Sequence, residues 1–397
     1  MSAGVLDGTL VLDLTVSVAG PMAGAMLADA GARVVRIERT TGDVASGWDS
    51  VVHGLSSYYV LNARNKESLA LDLRDPEARA AVFALARRSD VVLENFAPGV
   101  VDRLGLAYRD LVRENPSVVY AHISGYGQEG PYRSEKAFDL LIQGESGLLT
   151  LTGTPDEICK VPISVVDIAA AMYATQGILL ALMHRAKTGE GQEIDISMLQ
   201  SIVSWLGAIP YFAWFRGETP PRTGANHYLI SPYGPYLCSD GLYVNFAAAS
   251  NEAWNAFGTK VLERPDLVTD ARFASNERRV AHREELEGEV AACLATRTQD
   301  EWIALMHEHD IPCGRVRTLA EVLEHPQLKA TGAFIELPSR VGPIPFIRNP
   351  IELPRAPSRR DRVPLRGEQT RAILAELGYP EAAIAGMLER GAALEPA

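Results

Sequence analysis

Cysteine is scarce in this chain. The four cysteines, Cys159, Cys238, Cys293 and Cys313, lie far apart and form no CxxC pair. This spacing is typical of a reducing compartment and fits neither a disulfide scaffold nor a structural zinc site. We therefore expect a cytoplasmic protein without a metal centre.

Positive charge is also in short supply, with 38 Lys and Arg against 50 Asp and Glu and a net charge of −12. Nucleic-acid binding needs a basic face, so this balance disfavours a nucleic-acid partner. No apolar run approaches the roughly 18 residues of a membrane span, and Asp7 and Asp13 stand where a signal peptide would be apolar. The composition is that of a globular protein, and the length of 397 residues predicts two or more domains.

Strand-like and helical runs alternate over the first 200 residues, which is the pattern of parallel βαβ units. The predicted strands are Thr9–Leu14, Arg33–Glu38, Ser68–Leu73, Asp90–Glu94, Ser117–Ser124 and Glu193–Ile196. Helices are predicted at Met22–Ala30, Pro76–Ser89, Phe138–Thr150 and Asp167–Arg185. Ile209–Gly234 has no clear period and is predicted as linker and loop. A smaller unit follows, with a strand at Leu242–Phe246, helices at Asn251–Leu262, Arg283–Ala295 and Thr298–His309, and a last helix at Glu368–Leu377.

Two motifs suggest ligand sites that their surroundings do not support. Gly125–Gly130 matches GxGxxG, but the Pro131 segment that follows is a poor helix start, so we predict a glycine loop and not a dinucleotide site. His307 and His309 would point to different sides of a helix, and no third ligand group is nearby. We predict a solvated helix end there.

Asp167 stands at the start of a long apolar helical run. An aspartate in this place can cap the helix, because its oxygens accept unpaired main-chain N–H groups. A carboxylate held in an apolar pocket can also act as a nucleophile that forms a covalent acyl intermediate. The pattern alone leaves both interpretations open.

Several basic residues follow predicted strands: Arg39, Arg64, Lys66, Arg74 and Arg103. Ligands of open parallel sheets bind outside the carboxyl ends of the strands. Cations gathered there would suit a phosphate-bearing ligand, although each one taken singly is as well explained as a surface charge.

A series of short motifs, taken in chain order, is far more specific than any one of them. The series is LDLTVSVAGPMAGAMLADAGARVVRIER, NARNKESLALDLR, LENFAPGVVDRLG, SGYGQEGPY, FDLLIQGESGLLTLTG, the Asp167 helix, TGEGQEIDISM, IPCGRV and LRGEQTRAILAELGY. Over essentially the whole chain it resembles the class III CoA-transferases, the CaiB/BaiF or formyl-CoA transferase family. The resemblance implies an α/β fold with a Rossmann-like large domain and a smaller α+β domain, in an interlocked, ring-like homodimer. Residues 1–200 would begin the large domain, 201–224 would be a linker, 225–325 the small domain, and 326–397 a linker and the return to the large domain.

The resemblance also implies the chemistry and its residues. The substrates would be an acyl-CoA thioester and a small carboxylic acid, with no tightly bound cofactor. Asp167 would be the nucleophile, which forms an anhydride and then an aspartyl-CoA thioester. The residues that match CoA-contacting positions are Val16, Ser17, Val18, Ala19, Arg39, Leu71, Arg74, Asn95, Phe96, Arg103 and Lys136.

Two departures from the family pattern limit what can be carried over. The run of glycines that closes over the site in formyl-CoA transferase is replaced here by a stretch that begins at Gly224, so the resemblance does not extend to formyl or oxalyl specificity. Asn226 and His227 in this stretch are candidates for contact with the acyl or acid group, with a structural loop role as the alternative. Phe138 is a third candidate. In α-methylacyl-CoA racemases, a histidine precedes the aspartate that corresponds to Asp139. Phe138 stands in the place of that histidine.

Three functions are therefore compared. A CoA-transferase acting on a short dicarboxylate such as succinate, itaconate or mesaconate is the main prediction. A racemase is the alternative within the family, although a phenylalanine cannot take up a proton. A non-catalytic acyl-CoA-binding subunit is the third, and it would have no need of a nucleophile at Asp167.

Overall fold

The computed structural model describes residues 4–396, which form two compact units. The first unit holds the chain as far as Ser146, then Pro162–Gly207, and the chain from Lys329 onward. The second holds Gly147–Val161 and Ala208–Leu328. Residues 147–161, placed by the sequence in the first domain, thus belong to the second unit.

A seven-stranded sheet is the centre of the first unit. Its strands, numbered along the chain, are β1 (Leu10–Asp13), β2 (Arg33–Glu38), β3 (Glu67–Leu71), β4 (Val91–Glu94), β5 (Val119–Ser124), β6 (Gln192–Ser197) and β12 (Ala393–Leu394). They lie in the order β12-β3-β2-β1-β4-β5-β6, and all neighbours are parallel except β12 and β3. The order 3-2-1-4-5-6 is that of the Rossmann fold, so the predicted α/β class with a large parallel sheet is confirmed. A separate antiparallel pair is formed by β10 (Phe334–Leu337) and β11 (Ile344–Ile347).

Helices cover the sheet. They are α1 (Ala19–Asp29), α2 (Ser57–Ala63), α3 (Pro76–Ala86), α4 (Val100–Leu104), α5 (Tyr108–Leu111), α6 (Asp139–Glu145), α8 (Val165–Thr188), α9 (Met198–Trp205), α18 (Thr370–Glu376) and α19 (Glu381–Glu389), with a 3-10 turn at Val44–Gly47. The central strands read as nearly continuous apolar runs because both of their faces are covered. Leu12, Val35, Leu69 and Val92 are fully buried in one cluster with residues of α3, α18 and α19.

Helix α8 is the longest, with 24 residues. It is the one helix within residues 4–396 that is long and apolar enough to cross a membrane by length and composition. It packs against α1, α9, β5 and β6, and residues along its length, such as Ala170, Ala174 and Ile178, are fully buried. The helix is therefore packed into the first unit along one side, whereas Leu180 and Met183 are exposed in the single chain.

The second unit combines a three-stranded antiparallel sheet with helices. Its strands are β7 (Tyr233–Leu237), β8 (Tyr243–Ala247) and β9 (Cys313–Arg315). Its helices are α7 (Leu148–Leu151), α10 (Pro210–Arg216), α11 (Asn251–Ala256), α12 (Pro265–Thr269), α13 (Asn276–Ala281), α14 (Arg283–Leu294), α15 (Gln299–Glu308), α16 (Leu319–Leu323) and α17 (Pro326–Ala330), which runs past the boundary, with a π-helical turn at Phe257–Val261. Trp254, Phe257 and Trp302 anchor its core.

Two element predictions were wrong. The predicted helix Phe138–Thr150 is two helices, α6 and α7, broken at Gly147, which has a φ of 80°. Ile209–Gly234 was predicted as loop, but α10 lies within it, with Pro210 as its first residue. The outer side chains of α10 are exposed aromatics, so this short helix lacks the polar and apolar alternation that identifies a surface helix.

Candidate active site

The strand order of the sheet reverses between β1 and β4, so that successive strands are added on opposite sides of this point. The loops that follow β1 and β4 are hydrogen-bonded to each other here. The Asn95 side chain accepts a hydrogen bond from Val16 N at 2.8 Å and donates one to Val16 O at 2.8 Å. The carboxyl ends of strands at such a switch point form the crevice in which open α/β sheets bind their ligands. The two predicted CoA-contacting loops are therefore brought together at the place where the fold favours a ligand.

The turn after β1 is held in a strained conformation. Ser17 has a φ of 68°, which few residues other than glycine adopt. Its N–H donates to Asp43 Oδ2 at 2.7 Å, and its carbonyl accepts from Asn62 Nδ2 at 3.2 Å. The turn is thus fixed from three sides, by Asp43, Asn62 and Asn95, before any ligand arrives.

Two glycines let helix α1 pack closely against the end of β1 and the residues that follow it. A Cβ on Gly20 would lie 2.4 Å from Thr15 Cβ, and a Cβ on Gly24 would lie 2.6 Å from Asp13 Oδ2. Beneath Gly24, Lys66 Nζ lies 2.7 Å from Asp13 Oδ2 and donates to the Pro21 carbonyl at 2.6 Å. Burial lowers the pKa of Lys66 to about 8, against the opposing effect of Asp13.

Two of the strand-end cations are therefore structural. Lys66 is fully buried in its pair with Asp13, and Arg64 is buried in a pair with Asp29 at 2.8 Å. Neither can reach an external phosphate. The suggestion from sequence that these two side chains belong to an anion site is wrong, because each one neutralises a carboxylate in the core.

Asp167 lies beside this turn. It is the third residue of α8, whose N-cap is Ser164, so the interpretation of Asp167 as the N-cap is wrong. The Ala19 N–H, at the start of α1, donates to its carboxylate. Asp167 therefore stands at the amino ends of two helices, where the helix dipoles favour a negative charge.

Burial disfavours the ionised form of Asp167 and has the larger effect on its pKa. It raises the pKa of Asp167 to about 7, with a further contribution from the negative charge of Asp139, although the Ala19 hydrogen bond lowers it. The side chain is half-buried and therefore open to a ligand. A carboxylate with a raised pKa is a stronger base and, when ionised, a stronger nucleophile, and with a pKa of about 7 roughly half of it is ionised at neutral pH.

Three predicted cations are exposed and unpaired. Arg39, Arg103 and Lys136 form no ion pair and no side-chain hydrogen bond with any residue between positions 4 and 396. Arg39 follows β2 and Arg103 lies in the last turn of α4, the short helix after β4, so both come from connections that follow the carboxyl ends of strands. They remain available to an anionic ligand.

Other predicted contacts are placed differently. Arg74 is exposed but pairs with Asp72 at 2.7 Å. Leu71 is 1% exposed and lies in the core, so any contact that it makes to a ligand must come from its main chain. Phe96 is half-buried, and its N–H donates to Glu94 Oε2 at 2.7 Å. Val18 is buried and Val16 half-buried, so the turn offers chiefly main-chain atoms.

In the second unit, Asn226 and His227 belong to an anchored loop. Asn226 Nδ2 donates to Glu287 Oε2 at 2.7 Å, and the His227 carbonyl accepts from Arg283 Nη2 at 2.8 Å. The His227 ring stacks on Tyr228 with centroids 5.1 Å apart, and its Nδ1 accepts from Leu229 N. These contacts give both residues a structural role within their own unit, and their contact with substrate stays a prediction.

Sequence reasoning missed Asp43 and Asn62, which hold Ser17, and it treated Asp139 only as the neighbour of Phe138. Nothing in the local sequence marks Asp43 or Asn62, since their partners are distant in the chain. The Phe138 side chain is 59% exposed and is a hydrocarbon, so this site lacks the proton acceptor that a racemase needs at that position.

A Rossmann-type sheet with a carboxylate of raised pKa at its ligand crevice, and with unpaired cations at the same edge, is the arrangement of an α/β enzyme that binds an anionic ligand. Comparison with known sequences gives the family. The profile of CoA-transferase family III matches residues 6–370, and the chain belongs to this family. It is a class III CoA-transferase.

Relatives with assigned activities match over most of their length. The succinate–glutarate CoA-transferase of Agrobacterium fabrum is 34% identical over 385 residues, covering 94% of this chain and 95% of the relative. The succinyl-CoA:mesaconate CoA-transferase of Haloarcula hispanica is 34% identical over 390 residues, covering 94% and 97%. Among solved structures, a CaiB/BaiF family protein from Brucella suis superimposes with a TM-score of 0.85 at 34% identity, covering 95% of this chain and all of that one.

Proposed function

We propose that this enzyme transfers CoA from an acyl-CoA thioester to a short dicarboxylic acid through covalent intermediates on Asp167. The observation that carries the proposal is the placement of Asp167, which is half-buried at the amino ends of α1 and α8, beside the turn at the sheet's switch point. Relatives named for glutarate and for mesaconate support a dicarboxylate as the acid. The reaction needs no cofactor besides the CoA that it moves.

The steps are four acyl transfers. An Asp167 oxygen attacks the thioester carbonyl, the C–S bond breaks, and CoA leaves as thiolate with the bonding electrons, which gives a mixed anhydride. The thiolate then attacks the Asp167 carbonyl and releases the donor acid as a carboxylate. The incoming carboxylate attacks this aspartyl-CoA thioester and expels the thiolate. In the last step the thiolate attacks the acyl carbon of the new anhydride and frees Asp167.

In these steps no proton is transferred, and negative charge only moves between oxygen and sulfur atoms. The site suits this chemistry because it offers groups that stabilise negative charge. The N–H group of Ala19 and the dipoles of α1 and α8 can stabilise the oxyanions that form at the Asp167 carbonyl. Anhydrides hydrolyse, so water must be kept out. The half-buried position of Asp167 contributes to this exclusion.

Coenzyme A brings its own negative charge to a chain with a net charge of −12. Arg39, Arg103 and Lys136 are the proposed contacts for its phosphates, because all three are exposed and unpaired within residues 4–396. Charge-assisted hydrogen bonds to phosphate are strong and short. The turn from Val16 to Ala19 would meet the coenzyme through its main chain.

We also propose that the protein forms a homodimer. Trp214 and Phe215 of α10 are 72% and 81% exposed in the single chain, and Leu180 and Met183 of α8 are each 59% exposed. Apolar side chains of this size on the outside of a chain are typical of a protein–protein interface. Light scattering on the purified protein should give twice the mass of the chain. We expect this dimer in the cytoplasm, where its four widely spaced cysteines would stay reduced.

The covalent mechanism is tested with Asp167→Ala and a control at an exposed aspartate, Asp7→Ala. Asp167→Ala should abolish CoA transfer while acyl-CoA binding persists, because the carboxylate is needed for the covalent steps alone. Mass spectrometry of the wild-type protein incubated with acyl-CoA should show an adduct of CoA on the peptide that contains Asp167. Turnover by Asp167→Ala would refute the mechanism.

The CoA site is tested with Arg39→Ala against Arg113→Ala. Both arginines are exposed, but Arg113 precedes β5 and therefore lies toward the amino ends of the strands. Loss of a charge-assisted contact of about 1.5–3 kcal/mol should raise the KM for acyl-CoA at least roughly tenfold in Arg39→Ala. Equal KM values for the two variants would make Arg39 a surface charge only.

A further inference from the structure

The carboxylate of Asp139 joins two helices of the first unit. Its Oδ1 accepts a hydrogen bond from Val166 N at 2.8 Å, and its Oδ2 accepts one from Gln143 Nε2 at 2.7 Å. Gln143 is fully buried. The carboxylate is thus held on one side by its own helix, α6, while on the other side it receives a main-chain N–H of α8.

This contact replaces an ordinary cap. The N-cap of α8 is Ser164, whose side chain makes no capping hydrogen bond. The acceptor for the second N–H of the helix comes instead from Asp139, 27 residues earlier in the chain. Val166 directly precedes Asp167, so the same bond fixes the backbone on which the nucleophile is carried.

Asp139 is also the charged group that acts on Asp167. Among the elements packed near the first turn of α8, α1 carries only Asp29, which is paired with Arg64, and α9 carries no charged residue. On β5, His122 lies between the carboxylates of Glu94 and Glu193. The remaining charged residues are Asp195 of β6, which accepts from Gln128 N at 2.9 Å, and Glu145, which is exposed at the far end of α6.

We propose that Asp139 is a positioning residue for the nucleophile, fixing the first turn of α8 and holding a second negative charge next to Asp167. This inference rests on the proposed function. Repulsion between the two carboxylates exists only while Asp167 is ionised. It disappears when Asp167 becomes an anhydride or a thioester, because the acylated side chain is neutral. The free carboxylate is therefore destabilised relative to the covalent intermediates, which favours acylation.

Two substitutions separate the two roles. Asp139→Asn keeps a carbonyl oxygen for Val166 N but removes the charge, whereas Asp139→Ala removes both. Glu145→Gln is the matched control, since it neutralises an exposed carboxylate on the same helix that forms no side-chain hydrogen bond or ion pair with another residue between positions 4 and 396. Each variant is compared with the wild type in kcat, in KM for acyl-CoA and in the pH dependence of kcat/KM, and its fold is checked by circular dichroism.

In Asp139→Asn, the acid limb of the kcat/KM profile should move to lower pH, because the neighbouring negative charge contributes to the raised pKa of Asp167. The fraction of enzyme that carries CoA covalently at steady state should fall in the same variant. Asp139→Ala should lose kcat on the order of 10²-fold through displacement of the nucleophile, with KM for acyl-CoA within about twofold of the wild type. Glu145→Gln should match the wild type in all three quantities.

Three results would overturn the inference: an unchanged pH profile in Asp139→Asn, an unchanged kcat in Asp139→Ala, or a rise in KM alone, which would make Asp139 a substrate contact. If Asp139→Ala does not fold, Asp139→Asn decides the question. Loss of transfer in Asp167→Ala together with a normal Asp139→Asn would refute this inference and leave the proposed function intact. Transfer by Asp167→Ala would refute the proposed function itself.

Discussion

Replacing Asp167 with asparagine should make the protein more stable above neutral pH. Burial and the charge of Asp139 raise the pKa of Asp167 from 3.8 to about 7 in the folded state. A group whose folded pKa lies above its unfolded pKa contributes stability that is fully present below the unfolded value and is lost as pH rises through the folded value. Between pH 4 and pH 7 the wild-type protein therefore loses stability that asparagine, which is neutral at every pH, keeps.

The magnitude follows from the two pKa values. At 1.36 kcal/mol per unit of pKa, the interval from 3.8 to about 7 corresponds to roughly 4 kcal/mol as an upper limit. Asp167 is half-buried, so screening by solvent should leave on the order of 2 kcal/mol. The free energy of unfolding of Asp167→Asn should exceed that of the wild type by this amount at pH 8, and the difference should be much smaller near pH 4.

Urea unfolding of both proteins at several pH values between 4 and 8.5 measures this difference. The difference should grow up to about pH 7 and stay constant above it. Asp7→Asn, at an exposed position, is the control and should show no such trend. A constant difference across the range, or a wild type that is more stable at pH 8, would mean that the Asp167 carboxylate is not destabilised by the fold.

Three further changes test how the turn after β1 and its support are held. Lys66→Met leaves the buried Asp13 carboxylate without its cation, so the free energy of unfolding in urea should fall by about 3–5 kcal/mol; a loss below about 1 kcal/mol would contradict the structural role of the pair. Gly24→Ala should lower the melting temperature because the new Cβ would lie 2.6 Å from Asp13 Oδ2, whereas Gly288→Ala, where a Cβ meets no atom within 4 Å, should raise it slightly. Asn95→Ala loses both hydrogen bonds to the turn and should raise the KM for acyl-CoA severalfold in steady-state assays; unchanged kinetic constants would show that the turn keeps its shape without Asn95.

The fold was largely predictable from the sequence because its signals are local. The strand Arg33–Glu38 was predicted with the bounds that the structure has, and the helix predicted over Asp167–Arg185 is α8 with two more residues at its start and three more at its end. Apolar strand runs and intervening helices recur at short distances along the chain, so periodicity alone identifies them. Helix α10 was missed because its exposed aromatic residues interrupt that period.

The site was less predictable, because its decisive contacts join residues far apart in the chain. Sequence reasoning could not tell Lys66, which neutralises Asp13 in the core, from Arg39, which faces solvent; both are basic residues close to strand ends. The bond from Val166 to Asp139 spans 27 residues and leaves no trace in local composition. Only the packing of the folded chain determines which basic side chain is free and which is paired.

Under the proposed function, the turn after β1 would serve the coenzyme and the nucleophile at the same time, and this places a constraint on the reaction. Asn95 holds Val16, Asp43 and Asn62 hold Ser17, and the N–H of Ala19, directly after this turn, donates to Asp167. A shift of the turn that weakens coenzyme binding must therefore also move the donor that favours the ionised nucleophile. A φ of 68° costs free energy for a residue other than glycine, so the turn keeps this arrangement because its hydrogen bonds with Asp43, Asn62 and Asn95 hold it. In the proposed mechanism, this coupling would keep the acyl carbon and the attacking Asp167 oxygen in register during each transfer.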